Sequence, residues 1–191
     1  MRVALTGTPG TGKTTASERL PYDVVHLNDV VREHDLWTER DADRDSLVVD
    51  VEALAAWVDE YVASSDADVV LLESHLAHLL DVDRVVVLRC RPDLLESRLR
   101  ERGENAAKAR ENAEPAEPSQ ALARKARENA ESEALDVVLS ESVRDHGAEA
   151  VYEVDTTDRT PEAVATDIEA AVEGDREPSA GTVDFTEYLQ R

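Results

Sequence analysis

Short apolar runs alternate along this chain with longer stretches of helical spacing. Residues 2–6 read as a buried strand, followed by a glycine-rich turn and a helix beginning near Lys13. Further strands are predicted over 23–27, 69–73, 84–90 and 150–155. Between the second and third, Leu54, Trp57, Val58 and Tyr61 fall on one face of a helix over 51–63. Pro92 opens a helix to about Arg102, with Gly103 placed to end it, and Pro161 opens a last helix to about Val172. Strands separated by helices imply an α/β fold, a five-stranded parallel sheet covered on both faces.

Two regions depart from that rhythm. Residues 29–50 are polar and acidic, the composition of a lobe over a site. Residues 104–133 are charged and alanine-rich, and the heptapeptide KARENAE occurs there twice, at 108–114 and 125–131. A short tandem duplication of an exposed helical segment accounts for it; two units are too few for a solenoid. The tail after Gly174 carries Gly, Pro and Ser before Phe185, Tyr188 and Leu189, and the pattern does not decide whether it docks.

Charge changes the picture. The formal net charge is −22 over 191 residues, with 4% aromatic residues. Lysine occurs only at Lys13, Lys108 and Lys125, the other basic residues being arginine. The apolar runs argue against general disorder, so the composition points to a folded protein adapted to a high-salt cytoplasm, where a Debye length of roughly 3 Å screens carboxylate repulsion. Such a charge disfavours binding to nucleic-acid backbones and suits a basic protein partner. No apolar run approaches the ~20 residues of a membrane span, and nothing resembling a leader precedes the first strand, so a cytoplasmic protein is expected. The one cysteine, Cys90, follows an apolar run and reads as a packed thiol.

The glycine-rich turn carries the chemistry. Residues 7–14, GTPGTGKT, match GxxxxGK[ST] between a strand and a helix. Gly10 and Gly12 let the backbone turn its N–H groups around phosphates. Lys13 is placed to neutralise the β- and γ-phosphates of ATP, Thr14 to coordinate Mg²⁺, and Thr15 to cap the helix or touch the α-phosphate. The third strand ends in Glu73, Ser74 and His75. Glu73 fits the acidic position near Mg²⁺ and its waters; His75 is placed to orient or deprotonate an attacking water. His78 reads as a helix-surface residue, and His26, His34 and His146 belong to no constellation. Arg98 and Arg102, four apart, share one face of the helix after the fourth strand and are placed to clamp a transferring phosphoryl group or stack on a base. Arg32, in the acidic lobe, is a candidate for an acceptor phosphate.

Together these residues resemble the CINAP-type adenylate kinases, the isoenzyme-six family. The likeness lies in LTGTPGTGKTT at 5–15, NDVVREHDL at 28–36, SLVVD at 46–50, the ExH of Glu73 and His75, LRCRPDLLESRLRERG at 88–103 and RENAESEALDVV at 127–138. It extends over about residues 1–172. The resemblance implies a P-loop, nucleoside monophosphate kinase-like domain over 1–173, with an NMP-binding lobe at about 26–50 and a LID at about 101–132, and a C-terminal extension over 174–191. It implies broad phosphorylation of nucleoside monophosphates by ATP, a separate ATPase activity, and transient binding of a basic small-subunit ribosomal protein of the S-eleven type during 16S rRNA maturation. On it, Gly10, Gly12, Lys13, Thr14 and Thr15 fall on ATP-binding positions, Arg102 on a LID arginine, Arg32 on an NMP-lobe arginine, and Glu73 and His75 on the Walker-B-like pair. The family often has Asp where this chain has Glu73, and the duplication sits in the LID. Two other readings stand beside it: an assembly ATPase with incidental kinase turnover, and a small-molecule P-loop kinase with a non-nucleotide acceptor.

Overall fold

The computed structural model describes the backbone of residues 1–41, 46–110 and 120–190, and their side chains except at 41, 46, 103–110, 120 and 121. Strands β1 (Arg2–Thr6), β2 (Asp23–His26), β5 (Val70–Glu73), β6 (Arg84–Arg89) and β7 (Val151–Asp155) form a parallel sheet in the order β2-β5-β1-β6-β7. Each strand's alternate residues feed opposite layers, as the two-residue period requires. Val3, Leu5, Leu71, Val86 and Leu88 pack with α1 (Lys13–Ser17) and α7 (Pro161–Glu173). Ala4, Val70, Leu72, Val85 and Val87 pack on the other side with α2 (Leu27–Glu33), α3 (Val51–Ser64) and α6 (Val137–His146). Both faces are therefore apolar, which explains why these strands read as continuous hydrophobic runs.

The helix ends follow local chemistry. Asp50 caps α3 by accepting from Ala53 N at 3.0 Å. Thr160 caps α7 ahead of Pro161, accepting from Ala163 N at 3.3 Å. The acidic lobe consists of α2 and an antiparallel pair, β3 (Trp37–Asp41) and β4 (Ser46–Val49).

Two expectations are corrected here. Gly103 does not end its helix: α4 runs Pro92–Arg110, because the alanine-rich residues after Gly103 are strong helix formers and offset the ~1 kcal/mol that a glycine costs. His78 is not on a surface; it is 2% exposed in the 3₁₀ turn Ala77–Leu79. There its Nδ1 pairs with Thr6 Oγ1 at 3.1 Å and its Nε2 with Glu141 at 3.0 Å, and burial lowers its pKa. His146 is tied to the same turn, its Nε2 lying 2.7 Å from the His78 carbonyl. The tail, left open by sequence, docks: Ser179 N donates to Val151 O at 3.0 Å, and Glu153 N donates to Ser179 Oγ at 3.0 Å. It covers the free edge of β7, an edge that would otherwise present unpaired backbone groups. Of the duplicated heptapeptide, the second copy lies within α5 (Gln120–Ala134), while residues 111–114 of the first are outside the described residues. Cys90 is buried as expected, and burial pushes its thiol up.

Candidate functional site

The C-terminal ends of β1 and β5, the start of α1 and one face of α4 enclose a cavity of about 460 Å³. Gly10, Gly12, Lys13, Thr14, Thr15, Glu73, His75, Arg98 and Arg102 all line it, so nine of the residues singled out from sequence meet at one place. The loop needs its glycines. Gly12 has φ 97° at the cap of α1, and Gly10 has φ 98°, where a Cβ would press on Leu95 and Leu99 at 3.0 Å.

Lys13 is 7% exposed and folds back over the loop, donating to Gly7 O at 2.7 Å and Thr8 O at 3.2 Å. Burial lowers its pKa to about 8, against the raising effect of Glu73 and Glu133; the charge of Arg102 lowers it further. An arriving polyphosphate places anions beside this ammonium and draws its pKa back up. Nucleotide binding at about pH 9 is therefore expected to take up a proton, which calorimetry in two buffers of different ionisation enthalpy reads directly. Equal heats in both buffers at that pH would sink the assignment.

Glu73, 4% exposed, accepts from the Thr14 hydroxyl at 3.3 Å and pairs with His26 Nδ1 at 2.8 Å. His26 thus belongs to the site, contrary to the sequence reading, because β2 and β5 are in register at His26 and Glu73. His34 instead lies tilted against Trp57, with ring centroids 5.3 Å apart. His75 has its pKa lowered to about 4, by burial first and then by the charges of Lys13, His78 and Lys125. It is a neutral imidazole above about pH 5, able to orient a water but a weak base.

Two further cavities adjoin the first. One, of about 230 Å³, lies beyond Gly10 and Gly12 between Arg98 and the Thr156, Arg159 and Val164 side; it has the size and walls for a planar base. Arg98 approaches Cys90 Sγ at 3.4 Å. The other, of about 590 Å³, is reached past Asn28 and His75, which it shares with the phosphate cavity. Arg32, Arg40 and Lys125 line it with Val31, Leu47 and Val49. Arg32 is exposed and 3.4 Å from Asp29. Sequence reasoning missed Asn28, Arg40 and Lys125 here; the scarcity of lysine was a signal that Lys125 shares with Lys13.

Among the described residues no group of three His, Cys, Asp or Glu gathers as a metal site. The oxygens of Thr14 and Glu73 beside the loop nevertheless fit Mg²⁺, which takes few protein ligands and completes its shell with phosphate and water oxygens. No helix among the described residues is long and apolar enough to cross a membrane.

A parallel sheet in this order, with a glycine-rich loop between β1 and α1 and cavities on both sides of it, is the fold of the P-loop kinases. Shikimate kinase from Acinetobacter baumannii in complex with shikimate superposes with a TM-score of 0.53 over 92% of this chain and 94% of its own, at 16% identity. Shikimate kinase from Bacteroides thetaiotaomicron gives 0.52 over 91% and 98%, at 19% identity. The profile of the AAA domain family matches residues 3–136, and the chain belongs to that family. Its relatives include proteins named "Putative adenylate kinase" from Natronomonas pharaonis, 56% identical over 99% of this chain and 100% of the relative, and from Halobacterium salinarum, 54% identical over the same shares. The protein of that name from Methanocaldococcus jannaschii is 41% identical over 59% of this chain and 64% of its own length.

Proposed function

We propose that this protein is an ATP-dependent nucleoside monophosphate kinase of adenylate kinase type, converting ATP and NMP to ADP and NDP. The observation that carries it is the junction of the Lys13 cavity with a second cavity bearing Arg32, Arg40 and Lys125, since two anionic substrates must meet there end to end. An oxygen of the acceptor phosphate attacks the γ-phosphorus of ATP as the bond to the β–γ bridging oxygen breaks, and ADP leaves with that electron pair. Lys13 and the loop amides hold the donor phosphates, and Arg98 and Arg102 approach from α4 to balance charge on the transferring group. Arg32 and Arg40 hold the acceptor, and the two cavity walls fix the line of attack. Thr14 and Glu73 would hold Mg²⁺, Glu73 through water; when bound, the ion neutralises charge on the phosphate oxygens.

A coupled assay of ATP consumption across NMPs, with shikimate and no-acceptor controls, tests the reading. Acceptance of several NMPs is expected; turnover with shikimate alone would replace it by the small-molecule kinase.

Acceptor-independent ATP hydrolysis, membership of the CINAP-type branch and a role in small-subunit maturation rest on the resemblance. The neutral His75, at the mouth between the two cavities, supports the hydrolysis reading, since it stands where an unshielded water would attack. His75→Ala is expected to lower hydrolysis about tenfold and NMP phosphorylation less than about threefold, because only the first needs water oriented. Equal losses in the two assays would break that role. The −22 charge suits capture of a basic ribosomal protein; a pull-down indifferent to ATP would remove it as a nucleotide-controlled partner.

A further inference from the structure

Arg89 is the largest fully buried side chain among the described residues, 1% exposed at the end of β6, and the reaction above makes no use of it. A guanidinium out of water is tolerated only with carboxylates around it. Its Nε donates to Glu133 Oε1 at 2.7 Å, one terminal nitrogen to Glu153 Oε1 at 2.5 Å, and the other to Asp136. Carboxylates outnumber the cation, so their remaining oxygens must find donors elsewhere, and those donors are informative. Glu133 Oε2 accepts from the hydroxyl of Thr8, inside the phosphate loop, at 2.5 Å. Glu153 Oε2 accepts from Thr182 N at 2.7 Å, in the C-terminal segment. The ring of Phe185, three residues on, lies 5.5 Å from the Arg89 guanidinium. Hydrogen bonds therefore run unbroken from the phosphate loop through Glu133, Arg89 and Glu153 to the tail.

We propose that Glu133 is a positioning residue for the phosphate loop, and that the C-terminal segment 182–188, acting through Arg89, sets how tightly the loop holds ATP. This rests on the loop's reading as the ATP site. Thr8 is the point of contact that matters. Its hydroxyl is fixed by Glu133, while its carbonyl accepts from Lys13 Nζ at 3.2 Å and from Thr11 N at 3.3 Å. A shift of Glu133 thus moves the acceptor that the ammonium rests on. Glu133 also lies at the last turn of α5, so the same carboxylate ties the loop to a LID helix. The tail is anchored independently on α4, where Tyr188 Oη donates to Glu96 at 3.0 Å.

Calorimetry of MgATP binding in concentrated KCl, on the full chain and its variants, tests this. Phe185→Ala is expected to weaken binding about threefold, the scale of one cation–π contact. In a Thr8→Val background, where the hydroxyl link is cut, the same change contributes less than about 1.5-fold, since uncoupled sites add independently and coupled ones do not. Thr8→Ser keeps the hydroxyl and is expected to retain the full Phe185 effect. If Phe185→Ala fails to fold, Phe185→Leu keeps the bulk, removes the ring and serves the same cycle. No effect of Phe185 on the otherwise unchanged chain, or an undiminished effect in Thr8→Val, overturns the proposal. Wild-type protein that binds no ATP overturns the nucleotide reading and this one with it, a result distinct from either.

Discussion

Replacing Lys13 with methionine is expected to lower kcat/KM for phosphoryl transfer at least about a thousandfold, while moving the melting temperature of the ligand-free chain by only a few degrees. Catalysis and stability part company here because the ammonium is buried before any phosphate arrives. A lysine whose pKa falls from 10.5 to about 8 is held in its charged form at a cost of about 3 kcal/mol at neutral pH. Methionine, unbranched and one atom shorter, removes that cost. It also removes the donations to Gly7 O and Thr8 O, a loss of similar size for charge-assisted hydrogen bonds at about 1.5–3 kcal/mol together with the desolvated carbonyls they leave. The two effects nearly cancel at pH 7. They do not cancel at high pH. The folded-state pKa lies below the unfolded one, so between about pH 8 and 10.5 the unfolded chain binds more protons and wild-type stability rises with pH. Lys13→Met lacks that contribution. Chemical denaturation at pH 7 and at about pH 10 should show the wild type gaining on the variant; parallel changes would mean that Lys13 is not held desolvated.

The phosphate loop was legible because its requirements are local. One strand, eight consecutive residues and the start of a helix supply the turn, the ammonium and the hydroxyl together, and Glu73 and His75 follow from where an apolar run stops. The sheet was legible for a related reason, since strands buried on both faces leave uninterrupted apolar runs. Contacts between distant positions leave no such period. His26 and Glu73 lie 47 residues apart and meet only through strand register, and Thr8 and Glu133 lie 125 apart. A trace was present nonetheless: Arg89 interrupts the apolar stretch 85–90, and a charge in a central strand demands carboxylates from somewhere. Which ones answered could not be read. The β3–β4 pair escaped notice because its strands are short and its alternation is broken by the register shift between Trp37 and Glu39.

Moving the protein from molar to dilute KCl is expected to unfold it, an effect larger than that of any single substitution. The net charge of −22 is carried by a chain whose folded form approximates a sphere of roughly 20 Å radius. Screened Coulomb repulsion among those charges amounts to about 6 kcal/mol at 1 M salt and about 17 kcal/mol at 0.1 M. Spread over an unfolded chain of roughly 47 Å, it falls to about 1 and about 4 kcal/mol. Folding therefore loses about 8 kcal/mol on dilution, against a total stability of about 5–15 kcal/mol for a typical domain. Local pairing does little to soften this, because the arginine–carboxylate pairs at the surface, such as Arg19 with Glu162 and Arg159 with Asp167, are already counted in the net charge. They are also worth little singly. Circular dichroism melts across a KCl series should show the midpoint falling steadily with dilution and the folded baseline lost near or below about 0.1 M. MgATP, which stabilises the folded form by mass action, should move the same loss to lower KCl. A midpoint that stays level between molar and dilute salt would mean that the carboxylates are neutralised by some means other than mobile ions, and the high-salt reading of the composition would fall.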